Sequence, residues 1–356
     1  MTSGLQAVLQ AESCGTRSLP TRHVAMVEST SGHPPRIAVM FPGQGAQYPG
    51  MGAGLYGVDD EFTRVMDSGF QTFEDSGNRL RSAWLSGHRD FDDVTIAQPL
   101  LYLVNFALGR MVQSWGFPLD LYFGHSVGEF VAATLAGVID FPDGVRLMRD
   151  RVQSFAETPP GGMAAVAASV DDVEPFLNET VHIAAVNASR QVMIGGRLPE
   201  LGVAVEELEA AGITAFMIPA RQAFHTPLVM SGVERSLPAW ASVSLRPPQA
   251  PLVTAYPGES VTPQRATDPG FWACQPAQTL DFKAALDTVL ERRPRVLLEA
   301  GPGRTLLAFA RRHPLLRSGL CDGVSLLPGT PGADPASATA ARESLTIALG
   351  QNQVDS

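Results

Sequence analysis

Apolar positions along the chain follow two alternating patterns. Short runs typical of buried strands, at 36–41 and 119–123, precede longer segments whose apolar residues recur at helical spacing. The predicted helices cover 99–115 and 144–155, and a further strand run covers 296–299. Strands that alternate with helices are typical of parallel sheets, so the pattern predicts an α/β fold with a parallel-sheet core.

The pattern of apolar and polar positions changes after the turn Pro159-Pro160-Gly161-Gly162. From there to residue 218 the pattern predicts the order β-α-β-β-α-β, which is that of a ferredoxin-like unit. We therefore expect a small ferredoxin-like domain at 162–220, inserted into an α/β core at 36–161 and 221–350. The chain then ends in a Gly/Pro/Ala-rich stretch and a predicted helix over 340–349.

The first 35 residues carry Ser, Thr, Gly and Pro without sustained periodicity, which predicts a flexible leader at 1–35. No uninterrupted apolar core follows basic residues there, so a secretory signal is not expected. No apolar run in the chain reaches the roughly 18–20 residues that span a bilayer. We expect a cytoplasmic, monomeric protein that does not bind a membrane.

Composition narrows the function classes further. The 356 residues are 45% hydrophobic, an ordinary globular proportion, and the formal charge of −10 argues against nucleic acid as a partner. Cys14, Cys274 and Cys321 lie far apart and show no metal-ligand spacing, so no metal site is expected. A basic cluster at Arg311-Arg312-His313 with Arg317 is either a solvated helix end or a landing site for an acidic partner.

The pentapeptide Gly124-His125-Ser126-Val127-Gly128 follows a predicted strand and precedes a helix-compatible run. A serine on such a turn is lifted away from the backbone, and the flanking glycines remove Cβ atoms that would block it. The helix N-terminus beside it favours negative charge. The segment is either a Gly/Ser turn without chemistry or the site of a serine nucleophile at Ser126.

A serine nucleophile needs a base, and seven histidines are present. His225 follows the last predicted strand of the insert and precedes a helix, where it could point across a cleft towards Ser126. His125 is adjacent to the serine, and we expect its side chain to point away in a structural role. The others are expected in the leader, in loops or on the surface: His23, His33, His88, His182 and His313.

The developing negative oxygen of a tetrahedral intermediate needs backbone N–H donors. Val127 follows the serine and is the natural first donor. The turn Gly43-Gln44-Gly45 could bring a second, because glycine permits close approach. This turn matches neither a phosphate-binding loop nor a dinucleotide fingerprint, and it could also be an ordinary glycine-rich turn.

Several of these segments, taken together and in order, resemble one family: malonyl-CoA:acyl-carrier-protein transacylases and the acyltransferase domains of polyketide synthases. The resemblance covers roughly 36–350 and implies a hydrolase-like α/β core with a ferredoxin-like insert. The segments that carry it are Phe41-Pro42-Gly43-Gln44-Gly45-Ala46-Gln47, Gly50-Met51-Gly52, Gly124-His125-Ser126-Val127-Gly128-Glu129, Ala223-Phe224-His225 and Gly301-Pro302-Gly303.

The resemblance implies that Ser126 is the nucleophile and His225 its base. It places the backbone N–H groups of Gln44 and Val127 in the oxyanion hole. Arg151 falls on the family's arginine, which pairs with the free carboxylate of a malonyl-type group; a guanidinium binds a carboxylate through two parallel hydrogen bonds.

On charge alone, Arg146 and Arg149 are alternatives to Arg151, and all three could also form a solvated helix face. Gln98 matches an active-site glutamine of the family. Gln275 matches the position whose main chain holds the catalytic histidine.

Phe224, in Ala223-Phe224-His225, resembles acyltransferases that load malonyl rather than methylmalonyl units, because its ring could fill the space of an α-methyl group. One methylene gives only about 1–3 kcal/mol of discrimination. Ala46, where many relatives have serine, and Arg221-Gln222 depart from the common pattern and keep the choice of acyl group open.

The resemblance implies an acyltransferase that moves a malonyl or related dicarboxylic group from coenzyme A, through an acyl-serine, to the phosphopantetheine thiol of an acyl carrier protein. Without a ketosynthase or carrier segment in the sequence, we expect a freestanding enzyme of polyketide biosynthesis, with no bound cofactor. The alternatives are an acyl-carrier-protein thioester hydrolase, a carrier-to-carrier transferase for a larger acyl chain, and a silent carrier-binding scaffold. Arg151 argues against the first two, and an intact Ser126 with His225 argues against the third.

Overall fold

The computed structural model describes residues 36–86, 91, 93–330 and 332–350. The leader predicted at 1–35, with His23 and His33, lies outside these residues, as does His88. In chain order the strands are β1 (Ile37–Phe41), β2 (Leu121–Gly124), β3 (Gly162–Val166), β4 (Val181–Ala188), β5 (Gln191–Gly196), β6 (Ala215–Ile218), β7 (Val253–Thr254), β8 (Glu259–Ser260), β9 (Leu280–Asp281), β10 (Val296–Glu299) and β11 (Asp322–Ser325).

The α-helices surround these strands and, in chain order, are α1 (Asp60–Thr72), α2 (Asp75–Ser86), α3 (Val94–Ser114), α4 (Val127–Leu135), α5 (Phe141–Ala156), α6 (Val170–Val173), α7 (Leu198–Ala210), α8 (Met230–Ser242), α9 (Pro263–Ala266), α10 (Pro269–Cys274), α11 (Phe282–Glu291), α12 (Thr305–Ala310), α13 (Pro314–Arg317) and α14 (Asp334–Leu349). Within the described part of the chain, none of them is long and apolar enough to cross a membrane.

Four parallel strands form the central sheet, in the order β11-β10-β1-β2. All five residues of β1 are fully buried. Alternate side chains of a strand point to opposite faces, so Val39 and Phe41 pack in one apolar cluster and Ala38 and Met40 in another. A strand covered on both faces reads as a continuous apolar run, which is why the sequence pattern located β1 and β10.

A second sheet of five strands has the order β6-β3-β5-β4-β9. Its first four strands, with α6 and α7, follow the β-α-β-β-α-β order that the sequence predicted. The fifth strand, β9, comes from a later part of the chain and pairs in parallel with β4, Ala185 opposite Leu280. The sequence analysis did not predict this strand. The domain boundaries at 162 and 220 stay a prediction.

Several helices begin earlier than predicted. Helix α3 starts at Val94 rather than Pro99, because the Asp93 side chain accepts a hydrogen bond from the Thr95 backbone N–H and caps the first turn, while Pro99 lies inside the helix. Helix α5 covers Phe141–Ala156, and the final helix starts at Asp334 rather than residue 340.

Candidate active site

Ser126 lies between β2 and α4 with φ 55° and ψ −116°, a backbone conformation that residues with a Cβ rarely adopt. The flanking glycines make the turn possible. A Cβ on Gly124 would lie 2.1 Å from the carbonyl carbon of Gly128, and a Cβ on Gly128 would lie 1.9 Å from the carbonyl oxygen of Phe41. The local sequence therefore builds the sharp strand-to-helix turn that presents the serine.

His225 is brought to the serine from the segment before α8. Its Nε2 atom lies 2.9 Å from Ser126 Oγ, although the two residues are 99 positions apart in the chain. Its own φ is 64°, and its backbone N–H donates to the carbonyl of Pro276 at 2.6 Å. The structure thus brings together the two residues predicted as nucleophile and base, each on a strained backbone.

The other ring nitrogen of His225, Nδ1, lies 3.3 Å from the carbonyl oxygen of Gln275 and 3.3 Å from the hydroxyl of Tyr256. A carbonyl only accepts hydrogen bonds, so it favours a proton on Nδ1. The Nε2 lone pair then faces Ser126 Oγ. Burial, followed by the charges of His125 and Arg151, lowers the pKa of His225 well below its ordinary value, so the ring is neutral at neutral pH.

Arg151 projects from α5 into the same region and is only 8% exposed. Its Nε donates to Gln98 Oε1 at 3.0 Å, and Gln98 Nε2 donates to Gln44 Oε1 at 2.9 Å. Its guanidinium lies over the rings of Phe155 and Phe224, at 5.5 and 5.9 Å from their centroids. Burial lowers the pKa of Arg151 to about 10, which leaves it charged at neutral pH.

No carboxylate in the described ranges pairs with Arg151, and its two terminal nitrogens make no hydrogen bond there. A buried cation without an acidic partner is costly, and two coplanar NH2 groups can donate to both oxygens of a carboxylate. The alternatives differ: Arg146 is exposed and pairs with Asp143, while Arg149 pairs with Glu74 at 2.8 Å. Of the three arginines, Arg151 alone is buried without an acidic partner in the described ranges.

The glycine-rich turn after β1 lies directly against the serine. A Cβ on Gly43 would be 2.4 Å from the carbonyl oxygen of His125 and 3.2 Å from Ser126 Cβ. The next residue, Gln44, is therefore close to the serine, and Val127 is the first residue of α4. The turn at Gly301 closes over the same place, since a Cβ there would lie 2.3 Å from Pro42 Cδ. The oxyanion-hole roles of Gln44 and Val127 stay a prediction.

His125 points away from the serine. Its Nε2 lies 2.9 Å from Oδ1 of Asn187 on β4, and its ring packs on Phe282 at a centroid distance of 5.6 Å. Burial lowers its pKa. The residue joins the serine turn to the five-stranded sheet.

Sequence analysis missed a polar network behind His225. The carboxylate of Glu129, fully buried on α4, accepts from Thr254 Oγ1 at 2.6 Å, from the Ala255 N–H at 2.8 Å and from Gln275 Nε2 at 2.8 Å. Burial raises its pKa to about 7. Tyr256, which reaches Nδ1 of His225, is on the same segment. The one available signal was Glu129 itself, a carboxyl in an otherwise apolar helix.

Residues 39–320 match the sequence profile of the family described as acyl transferase domain. The chain belongs to this family. The acyltransferase is 34% identical, over 281 residues, to one component of the phenolphthiocerol/phthiocerol polyketide synthase of Mycobacterium tuberculosis. That alignment covers 78% of this chain and 19% of the synthase component. The acyltransferase therefore spans about a fifth of the length of this curated relative.

Solved structures give the same result. The acyltransferase domain from the second module of the salinomycin polyketide synthase superposes with a TM-score of 0.81 at 27% identity, covering 99% of this chain and 82% of that one. For the malonyl-CoA:acyl carrier protein transacylase of Xanthomonas oryzae, the TM-score is 0.76 at 26% identity, covering 89% and 99%. The predicted family and fold class are confirmed.

Proposed function

We propose that this acyltransferase moves a malonyl-type group from coenzyme A to the phosphopantetheine thiol of an acyl carrier protein, in the cytoplasm. The observation that carries the proposal is a buried guanidinium, Arg151, without an acidic partner among the described residues, close to a serine and histidine in hydrogen-bond contact. An acyl group that ends in a carboxylate would supply the missing partner. Transfer of an uncharged acyl group would leave this cation unexplained.

In the first half-reaction, His225 Nε2 takes the proton of Ser126 as Oγ attacks the thioester carbon. The resulting oxyanion accepts hydrogen bonds from the backbone N–H groups of Gln44 and Val127. Collapse of the tetrahedral intermediate breaks the C–S bond, and His225 gives its proton to the departing coenzyme A sulfur. The acyl group stays on Ser126 as an ester, with its free carboxylate held by Arg151.

In the second half-reaction, the phosphopantetheine thiol of the carrier enters. His225 takes the thiol proton, and the sulfur attacks the ester carbon. Collapse breaks the C–O bond, and His225 returns the proton to Ser126 Oγ. Gln275 holds His225 through its carbonyl oxygen throughout, and Gln98 holds Arg151 through its side-chain oxygen. All bonds and protons balance without a metal or a redox cofactor.

Phe224 favours an unsubstituted malonyl group. Its side chain is buried beside Arg151 and Phe155, so it limits the space next to the acyl α-carbon. A relative that is 30% identical, the acyl transferase domain of SpnD, was solved with 2-(pent-4-yn-1-yl)malonyl; it has a TM-score of 0.83 and covers 89% of this chain and 77% of that one. Substituted malonyl groups are thus the competing substrates to test.

The carrier protein is expected to dock on the basic cluster. Arg311, Arg312 and Arg317 are exposed, and none of them has an ion-pair partner within the described ranges. His313 caps α13 by accepting a hydrogen bond from the Leu315 N–H. A cationic surface on a chain of net charge −10 suits an acidic partner, which acyl carrier proteins commonly are.

The deciding experiment incubates the protein with labelled malonyl-, methylmalonyl- and acetyl-CoA and follows label on Ser126 and its passage to a carrier protein. We expect malonyl to load best and to leave for the carrier thiol faster than for water. The absence of any acyl-enzyme would overturn transfer from coenzyme A. Hydrolysis that outpaces transfer would favour the thioester hydrolase.

Arg151→Ala tests the carboxylate contact. Malonyl loading should fall by about 100-fold or more, since a charged hydrogen-bonded pair is lost. Acetyl loading, which needs no such pair, should persist or rise. Arg149→Ala is the matched control, because it removes an arginine from the same helix that is engaged with Glu74. Unchanged malonyl loading in Arg151→Ala would show that Arg151 does not bind the acyl carboxylate.

A further inference from the structure

The Nδ1 side of His225 has two oxygen neighbours instead of one. The carbonyl of Gln275 and the hydroxyl of Tyr256 both lie 3.3 Å from Nδ1. Tyr256 is 4% exposed, and its ring packs against the imidazole at a centroid distance of 6.0 Å. The proposed mechanism uses the carbonyl and gives the hydroxyl no part.

The two oxygens do not constrain the imidazole equally. A hydroxyl can accept a hydrogen bond from Nδ1–H or donate one to an unprotonated Nδ1, and donation would require the ring proton to be on Nε2, facing Ser126. That tautomer cannot take the serine proton. Because the carbonyl of Gln275 accepts only, it settles the shared arrangement: Nδ1 carries the proton and the Tyr256 oxygen becomes a second acceptor.

One buried carboxyl, that of Glu129, holds the two segments that carry the Gln275 carbonyl and the Tyr256 hydroxyl. Glu129 Oε1 accepts from Gln275 Nε2 and from Thr254 Oγ1, and Thr254 Oγ1 in turn accepts from the Tyr256 backbone N–H at 3.1 Å. The segments that carry the two acceptors are therefore fixed to the same residue of α4, the helix that begins directly after Ser126. The nucleophile and the support of its base share one rigid element.

We propose that Tyr256 is a positioning residue for His225, whose hydroxyl accepts from Nδ1–H as the ring becomes an imidazolium, and that Glu129 holds Tyr256 and Gln275 in register for this task. The proposal rests on Ser126 and His225 acting as nucleophile and base. It assigns Tyr256 no contact with substrate.

Removal of the hydroxyl has a defined direction. An acceptor on Nδ1–H stabilises the protonated ring more than the neutral one. Its loss therefore lowers the pKa of His225 further and destabilises the imidazolium that forms during attack. The other ionisable groups acting on this ring are His125 from the turn and Arg151 from α5, both of which also lower its pKa. Glu129 faces Tyr256.

The test uses Tyr256→Phe and the rate at which phenylmethanesulfonyl fluoride modifies Ser126 across pH. This reagent needs the activated serine but no acyl substrate. We expect a limiting rate about three- to tenfold lower, with the acid limb moved to lower pH. Tyr102→Phe is the matched control: it removes another buried hydroxyl, bonded to Thr134 Oγ1 at 3.0 Å, and should leave both quantities unchanged.

Malonyl loading gives the second measurement. In Tyr256→Phe the kcat should fall with little change in KM, because the hydroxyl acts on the base and not on binding. Thr254→Val, which breaks the link from Glu129 to Tyr256, should move the acid limb in the same direction. If Tyr256→Phe and Thr254→Val both fold and both keep the limiting rate and the acid limb of the wild type, the positioning role is overturned. If the wild type reacts with the sulfonyl fluoride but never loads malonyl, the proposed function fails and the positioning role still stands.

Discussion

The two residues that meet at the site share an unusual backbone. Ser126 and His225 have φ values of 55° and 64°, in a region that glycine adopts more readily. Such conformations cost of the order of 1–3 kcal/mol each and persist only where the surroundings enforce them. Here the enforcement is visible, in the close packing of Gly128 on Phe41 and in the hydrogen bond from His225 to Pro276.

The depressed pKa of His225 predicts the pH dependence of acylation. A base must be neutral to accept the serine proton, so the rate rises with pH through the pKa of the base. Because burial lowers this pKa, the acid limb of Ser126 acylation should lie below pH 6.5, the ordinary histidine value. The measurement is kcat/KM for malonyl-CoA against pH, with circular dichroism at each pH to confirm folding. A limb at or above 6.5 would contradict a buried, neutral base.

The residues found from sequence and those missed differ in kind. Ser126, His225 and Arg151 carry chemistry that a motif or a charge reveals, and the structure brings them together with Gln98, Gln44 and Phe224. Tyr256 and Glu129 act through contacts between distant parts of the chain: Glu129 and Thr254 are 125 positions apart. Glu129 stands out in the sequence as a carboxyl in an apolar helix, but no local pattern indicates its distant partners. The support of the base could therefore be identified only in the folded molecule.

At the level of elements, the serine turn requires β1, β2 and α4 to pack closely against one another. Helix α4 can begin directly after Ser126 only because Gly128 has no side chain to meet β1. Glycine normally weakens a helix by about 0.5–1 kcal/mol relative to alanine. At position 128 this loss is accepted because only glycine lets α4 approach β1 so closely.

Gly128→Ala should therefore destabilise the protein by about 2 kcal/mol or more, since the added Cβ would fall 1.9 Å from a backbone oxygen. Gly202→Ala is the matched control, within α7, where an added Cβ meets nothing within 4 Å. It should stabilise by about 0.5–1 kcal/mol. Urea unfolding measures both. Equal effects of the two substitutions would show that the turn relaxes more easily than its packing indicates.

Element boundaries show where pattern reasoning falls short. Helix α1 was not predicted, although Asp59 caps it through Phe62 and its buried positions Phe62, Val65, Met66 and Phe70 follow helical spacing. That signal was available in the sequence. The start of α3 was less accessible, because Pro99 usually marks a first turn and here lies inside the helix. Strand β9 has only two residues, and its partner β4 lies far away in the sequence, so no local pattern predicts it.

Across the whole molecule, the two sheets are joined beside the site. Strand β9 precedes α11 and forms one edge of the five-stranded sheet, while His125 reaches from the serine turn to Asn187 on β4. The five-stranded sheet therefore contacts the serine turn through His125, and α5 and α8 pack against each other.

Arg312→Glu tests the proposed docking surface at the basic cluster. It should raise the KM for the carrier protein several-fold and weaken the salt dependence of transfer, because an attractive charge becomes repulsive. Loading of Ser126 from malonyl-CoA should stay unchanged. Arg79→Glu on α2 makes the same change of net charge at another exposed arginine and serves as the control. Equal effects of the two reversals on the carrier KM would argue against a specific docking site at the basic cluster.

The left-handed backbone at Ser126 also limits how this chain can diverge. A β-branched side chain has two heavy atoms on Cβ and is a genuine outlier at positive φ. Threonine, which serves as a nucleophile in other enzymes, is therefore barred from this position, whereas cysteine keeps the unbranched shape and brings a more nucleophilic sulfur. A related chain with threonine at this position is better regarded as a binding protein than as an enzyme. In a related chain with cysteine there, the rate of acylation should depend on the fraction of that cysteine present as thiolate.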